Sequence, residues 1–377
     1  MSGRRLRAIL QKELRHIVRD TRSLLLALAL PLLFLVLFGY ALSLDVDRIP
    51  TVIYDADQSP ESRDLIQRFA ASRYFQIEGF ASDEHEVERS IDTDRALVGI
   101  AILRNYARRL HSGQETNVQL LLDGSDSNTA SIALGYADTI LSQYAFELRT
   151  EGQNQRSGVR LPSPIDAQLR VWYNSSLQSK NFIVPGLIAV ILMIIASMLT
   201  SLTIAREWEM GTMEQLLSTP LRPEELVLGK MMAYFAVGTA DTVIAVVVGI
   251  GIFQVPMRGS YILLAAASGL FLAGALFWGI FISAAARSQP VAFQLGLLTS
   301  FLPAMQLSGF IYAVENMPPP VRMITYLVPA SYFIKLTKGI FLKGTGVGVL
   351  WTELLFLTVF GLAVFLLSTW KIRQKLV

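Results

Sequence analysis

Few side chains in this sequence could do chemistry, and the most unusual is Asp241. It lies in an apolar run, ten residues beyond Met231, or about 15 Å along a helix that begins there. A carboxylate near the middle of a roughly 30 Å hydrocarbon core is costly, so it must face protein or water. Two readings stay open. Either a protonated Asp241 hydrogen-bonds a neighbouring helix, with Gln294 or Thr299 as its partner, or it lines a transport path and helps hydrate it or receive cationic cargo. Other candidates are weaker. His85-Glu86-Val87-Glu88-Arg89 opens like a zinc-protease helix but lacks the second histidine four residues on. Three histidines and no cysteine assemble neither a Ser/His/Asp set nor a thiolate metal site. Gly229-Lys230 is followed by Met231 and lacks the upstream glycine of a phosphate-cradling loop. If ATP drives this protein, another chain must bind it.

Composition sets the elements that must position these groups. Apolar residues make up 52% of the 377 and charged ones 17%, too apolar a balance for an ordinary soluble chain. A net charge of +3 argues for no nucleic-acid partner. Six apolar runs are long enough to cross a bilayer: Leu24–Leu44, Phe182–Ile204, Met231–Phe253, Tyr261–Ala284, Val291–Ile311 and Val349–Trp370. Pro31 should kink the first. Before it, Leu6, Ile9, Leu10, Leu14, Ile17 and Val18 fall at helical spacing among arginines, a basic helix suited to lie on an anionic leaflet. The run that follows is too long for a cleavable signal. Seven basic residues ahead of the first span place the amino terminus in the cytoplasm. Six crossings then return the carboxyl terminus there, beside Lys371, Arg373 and Lys375. Trp172, Tyr173, Tyr261 and Trp370 read as interface anchors. Small residues, among them Gly269, Gly274 and Gly279, make the fourth span suited to close packing.

Between the first two runs the composition turns polar. Residues 51–55, 75–80, 97–103 and 118–122 read as strands; helices are expected from Ser59-Pro60-Glu61, over 83–91 and over 127–151. Alternating elements imply an α/β domain, with Gly152–Pro164 as its return linker. The expected fold is therefore an α-helical membrane protein. Six transmembrane helices carry an α/β extracytoplasmic domain inserted between the first and second. Its parts are residues 1–44 (interfacial helix and first span), 45–180 (outer domain) and 181–377 (five-span bundle).

The polar island at about 205–225 joins two of the spans. Its acids Glu207, Glu209 and Glu214 alternate with Trp208, Met210, Met213, Leu216 and Leu217, and spacings of three and four read as a short amphipathic helix. Thr219-Pro220 ends it and Arg222-Pro223-Glu224-Glu225 starts another. Such a piece could pass a push from a soluble partner into the bilayer, or merely rest on the membrane surface. Residues 312–345 hold a second interrupted stretch, broken at Pro329. It reads as a pair of half-helices dipping in from outside with its lysines snorkelling outward, or as one kinked surface helix.

Arg206-Glu207-Trp208-Glu209-Met210-Gly211-Thr212-Met213-Glu214-Gln215-Leu216-Leu217-Ser218-Thr219-Pro220-Leu221, followed by Glu225-Leu226-Val227-Leu228-Gly229-Lys230, resembles the cytoplasmic segment of type-2 permeases of ATP-binding-cassette exporters. The likeness covers the whole chain and is greatest to multidrug-type permeases of Gram-negative bacteria with a large domain after the first span. It implies a coupling segment over Glu207–Pro220 that docks on a nucleotide-binding subunit. It implies outer re-entrant helices around Tyr326, Pro329, Tyr332 and Phe333. It also implies residence in the bacterial inner membrane and hydrophobic or amphiphilic drug-like cargo. The expected partners are cytoplasmic ATPase subunits, a second permease (identical or related), the lipid bilayer and a periplasmic adaptor. No cofactor is expected on this chain, ATP and Mg being held by the ATPase. Asp241 and Gln294 are the transport-path candidates. A membrane-anchored receptor or assembly factor would share the six spans but leaves the island unexplained. An intramembrane hydrolase lacks its nucleophile and ligand sets.

Overall fold

A computed structural model describes residues 2–41, 48–112, 114, 116–125, 127–157, 173, 178–286, 288–312, 314 and 317–374. The chain divides into two compact units, one of Met1–Ser43 with Arg170–Val377 and one of Leu44–Leu169. In chain order the first unit opens with the amphipathic helix α1 (Gly3–Arg19) and α2 (Thr21–Ala41), which contains Pro31.

The second unit is a four-stranded sheet with helices on both faces. Its elements are β1 (Ile49–Asp55), α3 (Pro60–Ala71), β2 (Phe75–Phe80), α4 (Glu84–Asp92), β3 (Val98–Ile102), α5 (Tyr106–His111), β4 (Val118–Leu122) and α6 (Ser127–Ser157). Strand order is β2-β1-β3-β4, with β1 parallel to both neighbours and β4 antiparallel to β3. Strand periodicity divides the core. Ile49, Ile53, Ile100 and Ile102 pack towards Leu65 and Phe69 of α3, while Val52 packs on the other face with Val87 of α4. Gly99 lets α4 approach closely: a Cβ there would stand 2.2 Å from Val87 Cγ1. Ser59 and Asp83 start their helices as the sequence suggests, accepting from the N–H of Ser62 (3.1 Å) and Glu86 (2.7 Å). Two expectations change. Helix α5 is additional, and α6 runs on to Ser157 where a linker was expected from Gly152; residues 158–164 of that linker lie outside the described set.

The first unit resumes with α7 (Ser179–Glu209), α8 (Thr212–Leu217), α9 (Pro223–Gly251), α10 (Tyr261–Ala285) and α11 (Gln289–Gln306). It ends with α12 (Pro319–Thr325), α13 (Pro329–Lys338), a π-helical turn (Gly339–Lys343) and α14 (Val347–Gln374). Five described helices, α2, α7, α9, α10 and α14, are long and apolar enough to cross a membrane. The expected Val291–Ile311 run is instead the 18-residue α11, with Pro303 inside it and a bent chain beyond Gln306.

Helix α7 is the centre of this unit. Its most apolar window is 83% buried, against 17% for α2 and 22% for α14, as befits a helix apolar all round. Helix α10 crosses it closely at Gly279, where a Cβ would meet Thr200 Oγ1 at 2.0 Å. Thr200 donates to the Leu276 carbonyl at 2.9 Å, and Ser283 Oγ accepts from the N–H groups of Ile204 and Ala205, both at 2.9 Å. Gly274 meets Phe360 of α14. The small residues of α10 are thus used for packing inside one chain.

Candidate functional site

The 205–225 island is not one continuous helix. Helix α7 carries Glu207, Trp208 and Glu209 as its last turn and then breaks at Gly211, whose φ of +68° is a left-handed value that suits glycine. Six residues of α8 follow. Pro223 then sets the first turn of α9, and the Glu225 carboxylate accepts from the Arg222 N–H at 3.2 Å.

Met213, a member of the segment expected to dock on a partner, faces inward. It is 1% exposed and belongs to a cluster with Ile204, Leu226, Phe277, Ile280 and Ile372. Trp208 and Leu216 are half-buried against that cluster. The apolar face of α8 therefore anchors the helix to its own chain. The side chain of Leu217 lies outside the described set. What α8 and its flanks present to solvent includes Glu209, Met210 (65% exposed), Gly211, Glu214, Gln215, Ser218, Thr219 and Pro220.

The acids are also more engaged than expected. Glu209 takes the Gln289 backbone N–H at 2.8 Å and its side-chain amide at 2.5 Å, tying the end of α7 to the start of α11. Glu207 accepts from Lys12 at 2.6 Å, from the Thr212 hydroxyl and from Lys230 at 3.4 Å. Lys230 is 1% exposed. Its ammonium donates to Glu13 at 2.7 Å and to the Thr203 carbonyl at 3.4 Å. Residues from α1, α7 and α9 thus form one buried charge cluster, and the close approach of α1 is possible because Gly229 has no side chain. A Cβ there would stand 2.7 Å from Ile9. The α1 start is held as well: the Ser2 N–H donates to Glu225 at 2.6 Å, and Arg5 donates to the Pro220 carbonyl.

Sequence reasoning missed this cluster. It had a signal, because Glu13 stands four residues from both Ile9 and Ile17 on the apolar stripe of α1, and Lys230 sits at the edge of an apolar run. Both are charges where the pattern calls for apolar residues.

Asp241 is 1% exposed, and neither carboxylate oxygen has a hydrogen-bond partner among the described residues. Neither suggested partner bonds it: Gln294 is exposed, and Thr299 bonds Trp278 at 3.1 Å and the Leu295 carbonyl at 2.7 Å. In the 312–345 stretch two short helices, α12 and α13, meet at Tyr326–Val328, so it is not one kinked helix. Phe333 is buried and stacks on Phe271 (4.2 Å between ring centres), and Tyr332 stacks on Phe356 (3.7 Å). Pro329 is buried and Tyr326 is exposed, its carbonyl accepting from the Tyr332 hydroxyl at 3.0 Å. Lys338 does not snorkel free; it lies 3.2 Å above the Phe182 ring. In the sheet unit, His85 is exposed and bonded to Glu88 at 3.1 Å.

Beside several long apolar helices and a short docked helix at a sharp break, the sequence itself matches a known family over nearly the whole chain. The model of the ABC-2 family transporter protein covers residues 22–370. The chain belongs to the ABC-2 transporter family. It is similar to YbhS of Escherichia coli K12, described as a probable multidrug ABC transporter permease, at 36% identity over 100% of this chain and 98% of the relative. It is 34% identical to YbhR of the same organism, described in the same words, over 93% of each chain. It is 27% identical to the inner membrane transport permease YhhJ over 95% of this chain and 96% of that one. This ABC-2 permease is accordingly a membrane protein and the membrane subunit of an ABC transporter.

Proposed function

We propose that the chain is the membrane-spanning subunit of an ATP-driven exporter, effluxing hydrophobic or amphiphilic drug-like compounds from the cytoplasm. Two such permeases, identical or related, work with two separate ATPase subunits, which hold the ATP and Mg; this chain itself binds no cofactor. It resides in the inner membrane with six crossings, α11 being the fifth, and with both termini in the cytoplasm. The sheet unit stands outside, where it is available to a periplasmic adaptor. Helices α12 and α13 form the outer re-entrant segment.

The observation that carries this reading is the form of the 207–220 segment. Its exposed Met210, Glu214 and Gln215 are rooted through buried Met213 and through Glu207 and Glu209. A docked ATPase that pushes this surface therefore pushes α1, α7, α9 and α11 together. Exposed Met210, not buried Met213, is the apolar anchor for the partner, contributing roughly 2 kcal/mol as interface hot spots do. Asp241 lines the transport path, a role supported by its burial without a partner among the described residues.

Co-expression with the cognate ATPase tests both points. Met210→Asp and Glu214→Lys should keep normal membrane abundance and ATP hydrolysis while losing export; export at the wild-type rate by both would sink the coupling assignment. Asp241→Asn should cut export of cations more than of neutral compounds. Equal effects on the two classes would leave Asp241 a structural residue.

A further inference from the structure

A cavity of about 300 Å³ lies between the elbow of α1 and α2 and the facing turns of α7 and α9, bordered by Phe293 of α11. Its volume is at the lower end for small-molecule sites. Its lining is two-sided. One end is walled by Leu30, Met198, Leu199, Val237 and Phe293. The other holds three cations, Lys12, Arg206 and Lys230, and three acids, Glu13, Asp20 and Glu207, beside His16.

The pocket is open on one side, as a site entered by a lipid must be, and ionised side chains on a wall at membrane depth are rare. The charged wall here has built geometry: Glu13 and Lys230 are 5% and 1% exposed and meet at 2.7 Å. The wall's charges cancel, with Lys12 paired to Glu207 and Lys230 to Glu13, so a headgroup of one sign would have to compete with a pair already formed. A head carrying both signs is matched throughout. The depth fits too, because an amphipathic helix such as α1 lies at the boundary of headgroups and acyl chains.

We infer that this cavity binds one amphiphile with a phosphate–ammonium headgroup, the chemistry of a zwitterionic phospholipid. The phosphate sits at Lys12 and Arg206, the ammonium at the carboxylate side, and an acyl chain runs along Leu30, Met198 and Leu199. The leaflet that supplies it is the cytoplasmic one only if the orientation proposed above is right; binding itself does not depend on that orientation or on an ATPase.

The test uses the full chain purified alone in mild detergent and read by native mass spectrometry. It is incubated with an equimolar mixture of dioleoyl phosphatidylethanolamine, dioleoyl phosphatidylglycerol and a cationic double-chain amphiphile. One phosphatidylethanolamine per chain should be retained in preference to the other two. Leu199→Trp fills the apolar end, and Arg206→Gln removes a cation while keeping a side-chain N–H donor, the kind of group Arg206 offers Gln289 at 3.3 Å. Each should lower that retention about tenfold or more, the size of one charge-assisted hydrogen bond. Equal retention of all three lipids, or unchanged retention in Arg206→Gln, overturns the proposal. If Leu199→Trp is not monodisperse, Arg206→Gln decides alone. Repeating the measurement with the ATPase and ATP separates two sources of the same chemistry: loss of the bound lipid on hydrolysis marks cargo, and its persistence marks a resident lipid.

Discussion

Lys230 is the residue on which three helices depend. An ammonium removed from water costs several kcal/mol unless its donors are used, and here Glu13, Glu207 and the Thr203 carbonyl use them. The Lys12–Glu207 pair at 2.6 Å contributes much less, because Lys12 is 47% exposed and screened by water. Breaking a buried pair from one side is worse than removing both members, since the survivor keeps its desolvation cost. Lys230→Met should therefore lower the thermal midpoint of the purified protein, by about 3 kcal/mol in stability. Lys230→Met combined with Glu13→Leu should recover most of that loss. A double variant no more stable than the single one would mean that the cluster acts through something other than the Glu13 pair.

At the scale of elements, α5 shows how a short helix is held by two anchors, the packing of Tyr106 and Leu110 on the sheet core and a carboxylate at its start. It begins at Asn105, in a left-handed conformation (φ +68°), and its first two N–H groups, of Tyr106 and Ala107, donate to Asp57 at 3.1 and 3.0 Å. Burial alone would raise the Asp57 pKa, but the Ala107 N–H, the Ser59 side chain and the Tyr106 N–H together hold it below its ordinary 3.8. A depressed carboxylate stabilises the fold above its unfolded pKa and loses that contribution as pH falls through the folded value. Amide protection over residues 106–111 should therefore drop as pH falls below 3.8. In Asp57→Asn it should start lower at neutral pH and show no such drop. Hydrogen exchange of the full chain measures both, and a parallel pH response in the two proteins would detach α5 from Asp57. This helix was not legible in the sequence, because Tyr106–His111 is too short for a period to show. Strands β2 and β4 were legible to the residue, since turn-forming or polar neighbours bound their apolar positions. In α8 the period was legible but its destination was not: an apolar stripe looks the same whether it docks on its own chain or on a partner. Glu13 and Lys230 stand 217 positions apart, and no local pattern could have joined them.

The number of crossings is a property of the whole molecule, and α11 decides it. Its 18 residues extend about 27 Å, short of a roughly 30 Å core, and it is absent from the five helices apolar and long enough to cross. Its glutamines, Gln289, Gln294 and Gln306, lower its apolar content, while Gln289 is anchored by Glu209 at the end of α7. That anchor puts the start of α11 level with the island, and the 312–345 stretch beyond it must then lie on the far side if α11 crosses. With α11 counted the chain crosses six times and its ends share a side; without it the count is five and they do not. The chain has no cysteine, so single cysteines at the exposed positions Arg4, Ser125, Ser218 and Gln374 report sidedness without background. Positions 4, 218 and 374 should label with a membrane-impermeant maleimide only after the membrane is opened, and position 125 in intact spheroplasts. Labelling of position 374 alongside 125 would show that α11 turns back within the membrane. Labelling of 218 alongside 125 would remove the docking surface from the side where ATP is, and the coupling role with it.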